Sequence, residues 1–378
     1  MKIAYDASLI SGQSGIERYT QELLRAMLRR ADGDDVQVVG DRGQGPLLDT
    51  LLGQHENLSI VDAMLSEHRV PKPLRPLVRI FRQHQLSGAV RSADVVHLLG
   101  PQKIVPRARK LAVTIHDLFP LDPSMELHSV LVRRFPARIT RQLKAADMVM
   151  TPSTYVAGTI REHFPWYTGP IRVTPLAADA VFAPTPLSEA TTKIYGITKP
   201  YVIFIGRVDG RKNLRRILAA WRSLPQALRS EADLVLLIPG SDHAIASLRA
   251  EHSETFADPS VRLCSNVPLG QMVELLSAAR ALVFTTLGEG FGLPVVEAMQ
   301  CGCPVITSNC TALPEVGGNA ALYADPRDVE AIADQMRRCL MDEELVERMR
   351  HEGLLHAQSF SWDKTAAVTH EAYQQIVG

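Results

Sequence analysis

The feature that most constrains the fold is an alternation of short apolar runs with longer amphipathic stretches in both halves of the 378 residues. The runs are rich in β-branched residues and short enough for strands, while the stretches between them have helical spacing. Strands that alternate with helices form parallel sheets covered on both faces. The sequence therefore predicts an α/β protein with two doubly wound domains whose parallel sheets face each other across a cleft. The predicted strands are 2–7, 36–40, 94–99, 111–115, 148–151, 201–206, 234–239, 282–285 and 304–307.

A proline-rich stretch, 175–186 (PLAADAVFAPTP), separates the two halves. Its prolines exclude a long helix and are typical of a connection between domains. We therefore expect a first domain over 1–181, a second over 182–360 and a closing helical segment over 361–378. The charge also changes between the halves, since the first 180 residues contain 23 Lys and Arg against 18 Asp and Glu, and the remainder contains 18 against 23.

The overall composition excludes several classes of protein. With 46% hydrophobic and 22% charged residues, the chain has enough apolar material for packed cores and differs from a disordered protein. Its balance of 41 cationic and 41 anionic residues argues against a nucleic-acid partner. Asp6 interrupts the stretch that a signal peptide would need, and no run of about 18 apolar residues occurs, so we expect a cytoplasmic location.

The cysteines are odd in number and concentrated late in the chain, which indicates a reducing compartment rather than a disulfide framework. Three of them, near an apolar strand, could be considered metal ligands, but no histidine stands near them. Buried thiols are therefore the favoured interpretation. The five are Cys264, Cys301, Cys303, Cys310 and Cys339.

Doubly wound domains bind ligands beyond the carboxyl ends of their strands, and the first loop of this kind is 11–15 (SGQSG), before a helix predicted to begin near Ile16. Its glycines let the backbone approach a ligand, and free amides at a helix start attract phosphate. It lacks the three-glycine dinucleotide fingerprint, and a purely structural connection explains it equally well.

A second loop, 206–213 (GRVDGRKN), follows a predicted strand and precedes an amphipathic helix. Arg207 and Lys212 would lie at the strand end and the helix start, where a guanidinium and an ammonium can neutralise two neighbouring phosphoryl groups. The loop therefore suits a diphosphate. A solvated turn rich in Arg and Lys is the alternative.

A third segment, 287–299 (LGEGFGLPVVEAM), contains two carboxylates with glycines between them. Pro294 fits the first turn of a helix, which places Glu289 in the preceding loop and Glu297 near the helix start. Ionised carboxylates only accept hydrogen bonds, so they suit sugar hydroxyls, while the helix amides suit a charged group between them. The alternative for Glu297 is an ordinary position on the helix surface.

Together, GRVDGRKN, EGFGLPVVE and PVITSNCTALPEVGGNAALYADP closely resemble the retaining nucleotide-sugar glycosyltransferases of glycosyltransferase family 4, which have the GT-B architecture of two Rossmann-like domains. The resemblance implies that Arg207 and Lys212 hold the donor diphosphate. It also implies that Glu289 contacts hydroxyls of the transferred sugar, that Glu297 binds the ribose, and that 361–378 crosses back onto the first domain. The implied donor-binding set is completed by Gly15, Gly206, Gly290, Phe291, Gly292 and Leu293.

His116 follows a first-domain strand and matches a family histidine that faces the donor sugar. A lone histidine in such a place is often a packing residue, and the resemblance favours the functional role. Asp117 is expected to orient it and is also assigned to the acceptor side. Glu17 is assigned to the acceptor side, although many relatives have a glycine at its position. The predicted catalytic residues are His116, Arg207, Lys212 and Glu289.

Breaking the anomeric C–O bond of a nucleoside-diphosphate sugar leaves negative charge on the diphosphate, so stabilising this leaving group helps most. The resemblance implies retention of configuration, with a departing phosphate oxygen taking the acceptor's proton. We expect no cofactor and no metal, because the two cations replace Mg²⁺. The acidic stretch 32–35 (DGDD) is interpreted as a solvated turn rather than a metal site.

The basic segment 69–82 carries five cations and no acid, interleaved with apolar residues, and 103–110 adds further cations. Such segments suit an anionic membrane, which would bring the first domain to a lipid-linked acceptor. An internal helix with solvated arginines is an equal alternative.

The leading hypothesis is a glycosyltransferase that moves mannose or a rhamnose-type hexose from a GDP-sugar onto a lipid-linked or saccharide acceptor of a bacterial cell-surface polysaccharide. The GDP-sugar is favoured because the opening DASLISGQSGIERYT resembles bacterial mannosyl- or rhamnosyltransferases. The alternatives are a UDP-sugar donor, an epimerase or phosphorylase on the same fold, and a non-catalytic sugar-nucleotide-binding subunit.

Overall fold

The structure is a computed structural model that describes residues 1–8, 15–30, 33–64, 71, 74–122, 125 and 130–378. The chain forms two compact units. The first comprises the described residues up to 176 other than Met125, together with 362–378, and the second comprises 177–361 and Met125.

Within the described residues, the first unit contains one sheet of seven parallel strands in the order β3-β2-β1-β4-β5-β6-β7. The four neighbouring strands β1, β4, β5 and β6 are buried along most of their length, as expected for a sheet covered on both faces. The strands are β1 Lys2–Asp6, β2 Asp35–Asp41, β3 Leu58–Met64, β4 Val95–Leu98, β5 Leu111–Thr114, β6 Met148–Thr151 and β7 Ile171–Val173.

The helices of the first unit include the last helix of the chain. This helix packs against the first one, where Arg29 Nη2 lies 2.8 Å from Asp363 Oδ1 and the rings of Tyr19 and Trp362 are 6.1 Å apart. The described helices are α1 Gly15–Arg29, α2 Gly45–Leu52, α3 Arg75–Ala89, α4 Val130–Ala145, α5 Thr154–His163 and α16 Trp362–Val377.

The second unit repeats the architecture with six parallel strands in the order β10-β9-β8-β11-β12-β13. Its core surrounds Trp221, whose Nε1–H donates to Ser260 Oγ at 3.0 Å. The strands are β8 Tyr201–Ile205, β9 Asp233–Ile238, β10 Val261–Ser265, β11 Ala281–Phe284, β12 Val305–Ser308 and β13 Ala321–Ala324. The helices are α6 Glu189–Tyr195, α7 Leu214–Ser223, α8 Gln226–Glu231, α9 Asp242–Glu251, α10 Ser253–Phe256, α11 Leu269–Ala278, α12 Leu293–Gln300, α13 Leu313–Gly317, α14 Val329–Met341 and α15 Glu343–Ala357.

The prediction of two doubly wound α/β domains with parallel sheets is confirmed. The nine predicted strands are all present within one residue at each end, and the four that were missed, β3, β7, β10 and β13, are the edge strands of the two sheets. Edge strands are half-exposed here, so their apolar runs are interrupted by polar residues such as Ser59 and Arg262.

Two sequence interpretations of charged residues were wrong. Asp34, expected in a solvated turn, is buried, and it lies 2.6 Å from both the Met1 amine and His370 Nε2. Its hydrogen bond raises the pKa of the Met1 amine. Arg82, counted among the membrane-facing cations, is buried and pairs with both carboxylate oxygens of Asp41, at 2.7 and 3.1 Å.

A chain of buried hydrogen bonds ties α16 to the first sheet. Tyr373 donates its hydroxyl proton to Tyr5 Oη at 3.3 Å, so His97 Nδ1–H must donate to Tyr373 Oη at 2.6 Å. His97 Nε2 then accepts from Thr114 Oγ1 at 2.8 Å, and Thr114 accepts from Tyr19 Oη at 2.9 Å. Each donor in the series from Tyr19 to Tyr5 therefore donates toward Tyr5, and His97 takes part as a neutral imidazole.

The burial of His97 in this series of hydrogen bonds predicts that the protein loses stability in acid. Burial lowers the pKa of His97 to about 3, whereas the pKa of an unfolded histidine is about 6.5, so between these values the unfolded state binds more protons. The free energy of unfolding should therefore fall as the pH decreases, by up to about 1.4 kcal/mol per pH unit for this residue. Urea unfolding between about pH 7 and about pH 5 measures the slope.

His97→Gln keeps a donor and an acceptor but cannot titrate in this range, so it should flatten the slope. The exposed His243 provides the matched control, because His243→Gln makes the same substitution away from the buried hydrogen bonds. An unchanged slope in His97→Gln would contradict the assignment of a neutral, buried His97.

Candidate active site

The candidate site lies where the strand order of the second sheet reverses. Strands β8 and β11 are neighbours, with Val202 opposite Ala281 and Ile203 opposite Leu282, although about eighty residues separate them in sequence. Doubly wound sheets bind ligands at this reversal point, beyond the carboxyl ends of the strands. The loops that leave the two strands, 206–213 and 285–292, contain two of the predicted motifs.

The loop after β8 is fixed by its own hydrogen bonds. Asp209 accepts from Arg211 N–H at 2.8 Å and caps a short 3₁₀ turn, Gly210–Lys212. Asn213 is buried with a left-handed φ of 60°, and its amide donates to Thr285 O at 2.8 Å. Lys212 therefore leaves the backbone from a rigid position.

Lys212 and Glu289, one from each loop, form an ion pair in which Nζ lies 2.8 Å from Oε1. The Lys212 ammonium also stands 4.9 Å from the centre of the Phe284 ring, a cation–π contact. Arg211 Nη1 lies 3.8 Å from the other carboxylate oxygen, Oε2. The structure thus places two cations beside one carboxylate.

The two predicted phosphate-binding cations are placed differently. Lys212 is in this cluster, whereas Arg207 is exposed and is not among the described residues that contact Glu289. Arg211 was missed, although its position in the run Gly210–Lys212 was the available signal. Gly206 is required by packing, because a Cβ there would stand 2.9 Å from the Phe204 ring.

The backbone of Glu289 is held by Thr311, which the sequence did not indicate. Thr311 has a left-handed φ of 57°, which costs a β-branched residue about 1–3 kcal/mol. Its Oγ1 accepts from Glu289 N–H at 3.2 Å, and Ala312 N–H donates to Glu289 O at 3.3 Å. Thr311 is therefore a positioning residue for Glu289. No local sequence pattern indicates this role.

Helix α12 begins at Leu293, directly after the loop that carries Glu289. Gly292 caps it with a φ of 111°, and a Cβ there would come 2.6 Å from Leu313 Cδ2, so only glycine fits. Gly290 is buried, and the ring of buried Phe291 packs edge-on against Phe360 at 5.7 Å.

Glu297 is buried in the second turn of α12, so the structure does not place it on the helix surface. Carboxylates are rarely buried unless they are paired, so Glu297 differs from an ordinary solvated residue.

In the first unit, His116 lies just after β5 and is half-buried. Its Nε2 is 2.9 Å from Leu99 O, and burial lowers its pKa to about 4, so the ring is neutral and Nε2 carries the proton. Nδ1 is left as an acceptor. The ring packs edge-on against Tyr19, with centroids 4.7 Å apart.

The other predicted site residues of the first unit follow strands β1 and β5 in sequence. Gly15 is the first residue of α1 and is exposed, and Glu17 is buried in its first turn. Asp117 is half-buried beside His116 in sequence. The remainder of the predicted loop, 11–14, lies outside the described residues.

All five cysteines are free, and four of them are buried, which confirms the buried-thiol interpretation for those four. Burial raises the pKa of Cys264 to about 11 and that of Cys301 to about 12. Cys310 is half-buried.

Comparison with known proteins agrees with the fold and motifs. Residues 13–182 match the family Glycosyltransferase Family 4, and 189–355 match Glycosyl transferases group 1. The chain is 30% identical over 376 residues to the O-antigen chain mannosyltransferase B of Escherichia coli, with 96% of each chain covered. It is 25% identical over 274 residues to the serotype-specific mannosyltransferase WbdA of Escherichia coli, covering 71% of this chain and 34% of WbdA.

Among solved structures, the sucrose-phosphate synthase of Thermosynechococcus elongatus has a TM-score of 0.76 at 19% identity, covering 99% of this chain and 98% of the other. Two parallel Rossmann-like sheets with these matches define a GT-B glycosyltransferase. The chain belongs to glycosyltransferase family 4, as its motifs indicated. No helix in the described part of the chain is both long and apolar enough to cross a membrane.

The role of Thr311 can be tested by removing its hydroxyl alone. Thr311→Val keeps the branched side chain but leaves Glu289 N–H without its acceptor, so the free energy of unfolding should fall by about 1–3 kcal/mol. A displaced Glu289 should also lower kcat/KM for glycosyl transfer by about tenfold, as expected for small misplacements in a preorganised site.

Thr311→Ser keeps the hydroxyl and should retain most of the wild-type stability and activity. Urea unfolding and initial rates measure both effects. Equal behaviour of the Val and Ser variants would rule out the hydrogen bond to Glu289 as the reason for the strained backbone.

Proposed function

We propose that this protein is a retaining glycosyltransferase that moves a hexose, mannose or a rhamnose-type sugar, from a GDP-sugar onto a lipid-linked or saccharide acceptor in the synthesis of a bacterial cell-surface polysaccharide. The observation that carries the proposal is the placement of Lys212 beside Glu289 at the reversal point of the second sheet. A cation for phosphate and a carboxylate for hydroxyls stand side by side there, as the two parts of a nucleotide sugar require.

The similarity to O-antigen chain mannosyltransferase B supports mannose and a polysaccharide product, because it extends over 96% of both chains. A mannosyl donor in turn favours the guanosine nucleotide.

In the proposed reaction, the anomeric C–O bond breaks and its electron pair passes to the diphosphate. Lys212 and Arg207 stabilise this charge, assisted by the amides at the start of α12. The exposed guanidinium of Arg207 is accessible to a ligand. The acceptor hydroxyl attacks from the same face, and its proton passes to the departing phosphate oxygen, so configuration is retained.

The remaining residues are proposed to orient the donor. Glu289 accepts hydrogen bonds from the sugar hydroxyls and Glu297 from the ribose. His116 is neutral near pH 7, and its Nδ1 is suited to accept from a sugar hydroxyl rather than to act as an acid. Asp117 and Glu17 are assigned to the acceptor side. The cations take the place of Mg²⁺, so no metal is proposed.

Radiolabelled transfer tests this function directly. With GDP-mannose and a lipid-linked saccharide, Lys212→Met should lower kcat by about 100-fold to 1,000-fold, because the leaving group loses a preorganised cation. The matched control is Lys193→Met, since Lys193 is an exposed lysine of the same unit. Chelation with EDTA should leave the rate unchanged.

Other results would select the alternatives. A product formed without acceptor indicates an epimerase, and one that requires inorganic phosphate indicates a phosphorylase. Turnover of UDP-sugars alone would replace the proposed nucleotide, and binding without turnover would indicate a non-catalytic subunit. NMR of the new anomeric centre tests retention.

We further propose that α3 contacts an anionic membrane and brings the first unit to a lipid-linked acceptor. Arg75 and Arg79 are half-buried, and the exposed side of the helix is apolar at Leu77, Ile80 and Phe81. An apolar helix side within a domain that carries a net positive charge suits the surface of an anionic bilayer.

Sedimentation with phosphatidylglycerol vesicles tests this contact. Replacing Leu77, Ile80 and Phe81, which are 65%, 69% and 52% exposed, by Ser should abolish binding. The matched control replaces Ile194, Met341 and Leu355 of the second unit, which are 61%, 67% and 54% exposed. Equal binding of the two triple variants would eliminate the membrane contact at α3.

A further inference from the structure

The ion pair between Lys212 and Glu289 joins two groups to which the proposed function assigns different parts of the donor. Lys212 is assigned to the diphosphate and Glu289 to the sugar, yet here each is the other's partner at 2.8 Å. The two side chains are only 16% and 12% exposed. Each charge is therefore poorly solvated when its partner leaves.

A complete nucleotide sugar replaces both halves of this pair. Its phosphate oxygens accept from Lys212, and its hydroxyls donate to Glu289, so each charge exchanges one partner for another. A nucleoside diphosphate without sugar offers only the first exchange. Glu289 is then left with Arg211, whose Nη1 is 3.8 Å away and beyond hydrogen-bond distance.

The two side chains also differ in how freely they can move. Glu289 is fixed through its backbone by Thr311 and Ala312, which bond to its N–H and C=O groups. Lys212 carries a compact charge on a flexible four-carbon stem, so it can turn from one oxygen to another without moving the loop. The mobile member of the pair is thus the one that contacts phosphate.

From this geometry we infer that the Lys212–Glu289 ion pair distinguishes the loaded donor from the spent nucleotide and promotes release of the nucleoside diphosphate. The inference rests on the proposed function. Once the sugar has been transferred, Glu289 loses its hydroxyl partners and competes with the diphosphate for Lys212. The pair re-forms as the nucleotide leaves, and no covalent change is involved.

Calorimetric titration of GDP and GDP-mannose tests the inference. Glu289→Gln removes the charge that competes for Lys212, so this variant should bind GDP about tenfold more tightly than the wild type, which corresponds to about 1.4 kcal/mol. Its affinity for GDP-mannose should not rise. The GDP inhibition constant should fall to the same extent. Unchanged or weaker GDP binding would overturn the inference.

Two further variants separate the ion pair from a general effect of negative charge near an anion. Glu315→Gln removes an exposed acid from the first turn of α13 and should leave GDP affinity unchanged. In a Lys212→Gln background, Glu289→Gln should no longer tighten GDP binding, because the cation for which it competes is absent. Equal tightening with and without Lys212 would overturn the inference in favour of a simple field effect.

Failure of the proposed function gives a different result. A wild type that transfers no sugar and binds no nucleoside diphosphate would refute the function itself. A wild type that transfers mannose, while Glu289→Gln binds GDP as the wild type does, would refute only the role of the ion pair. If the protein binds UDP instead, the same titrations with UDP and its sugar conjugate decide the inference.

Discussion

The reversal of strand order between β8 and β11 is the constraint on which the candidate site depends. It makes neighbours of two strands that are distant in sequence, and each delivers a charged loop to the same edge of the sheet. Lys212 and Glu289 meet because of this topology rather than through local sequence. The other features of the site hold these two loops in place.

Three residues that hold these loops have backbone conformations that most residues avoid. Asn213, Thr311 and Gly292 all have positive φ. Asn213 and Gly292 end the loops 206–213 and 285–292, and Thr311 lies in the loop between β12 and α13. Each is secured by a contact: Asn213 through its amide hydrogen bonds, Thr311 through Glu289, and Gly292 through the close approach of Leu313. Among the described residues other than glycine, two of the three with positive φ, Asn213 and Thr311, thus lie beside the paired charges.

The sequence predicted the central strands and the two charged loops that follow β8 and β11, because buried parallel strands are continuous apolar runs and the loops after them carry recognisable charge. It did not predict the edge strands, whose exposed residues break the runs. Arg211 and Thr311 were missed because their roles depend on contacts across loops. Asp34 and Arg82 were misassigned because their partners, His370 and Asp41, are far away in sequence.

The last helix, α16, has a consequence for how the protein is made. It belongs to the first unit, where Tyr373 contacts His97 in the middle of the sheet. A ribosome delivers this helix only after the whole second unit has emerged. The hydrogen-bond partner of His97 in the first sheet is therefore synthesised 276 residues after it. A premature stop codon near the end of the message would leave the beginning of the polypeptide unfinished.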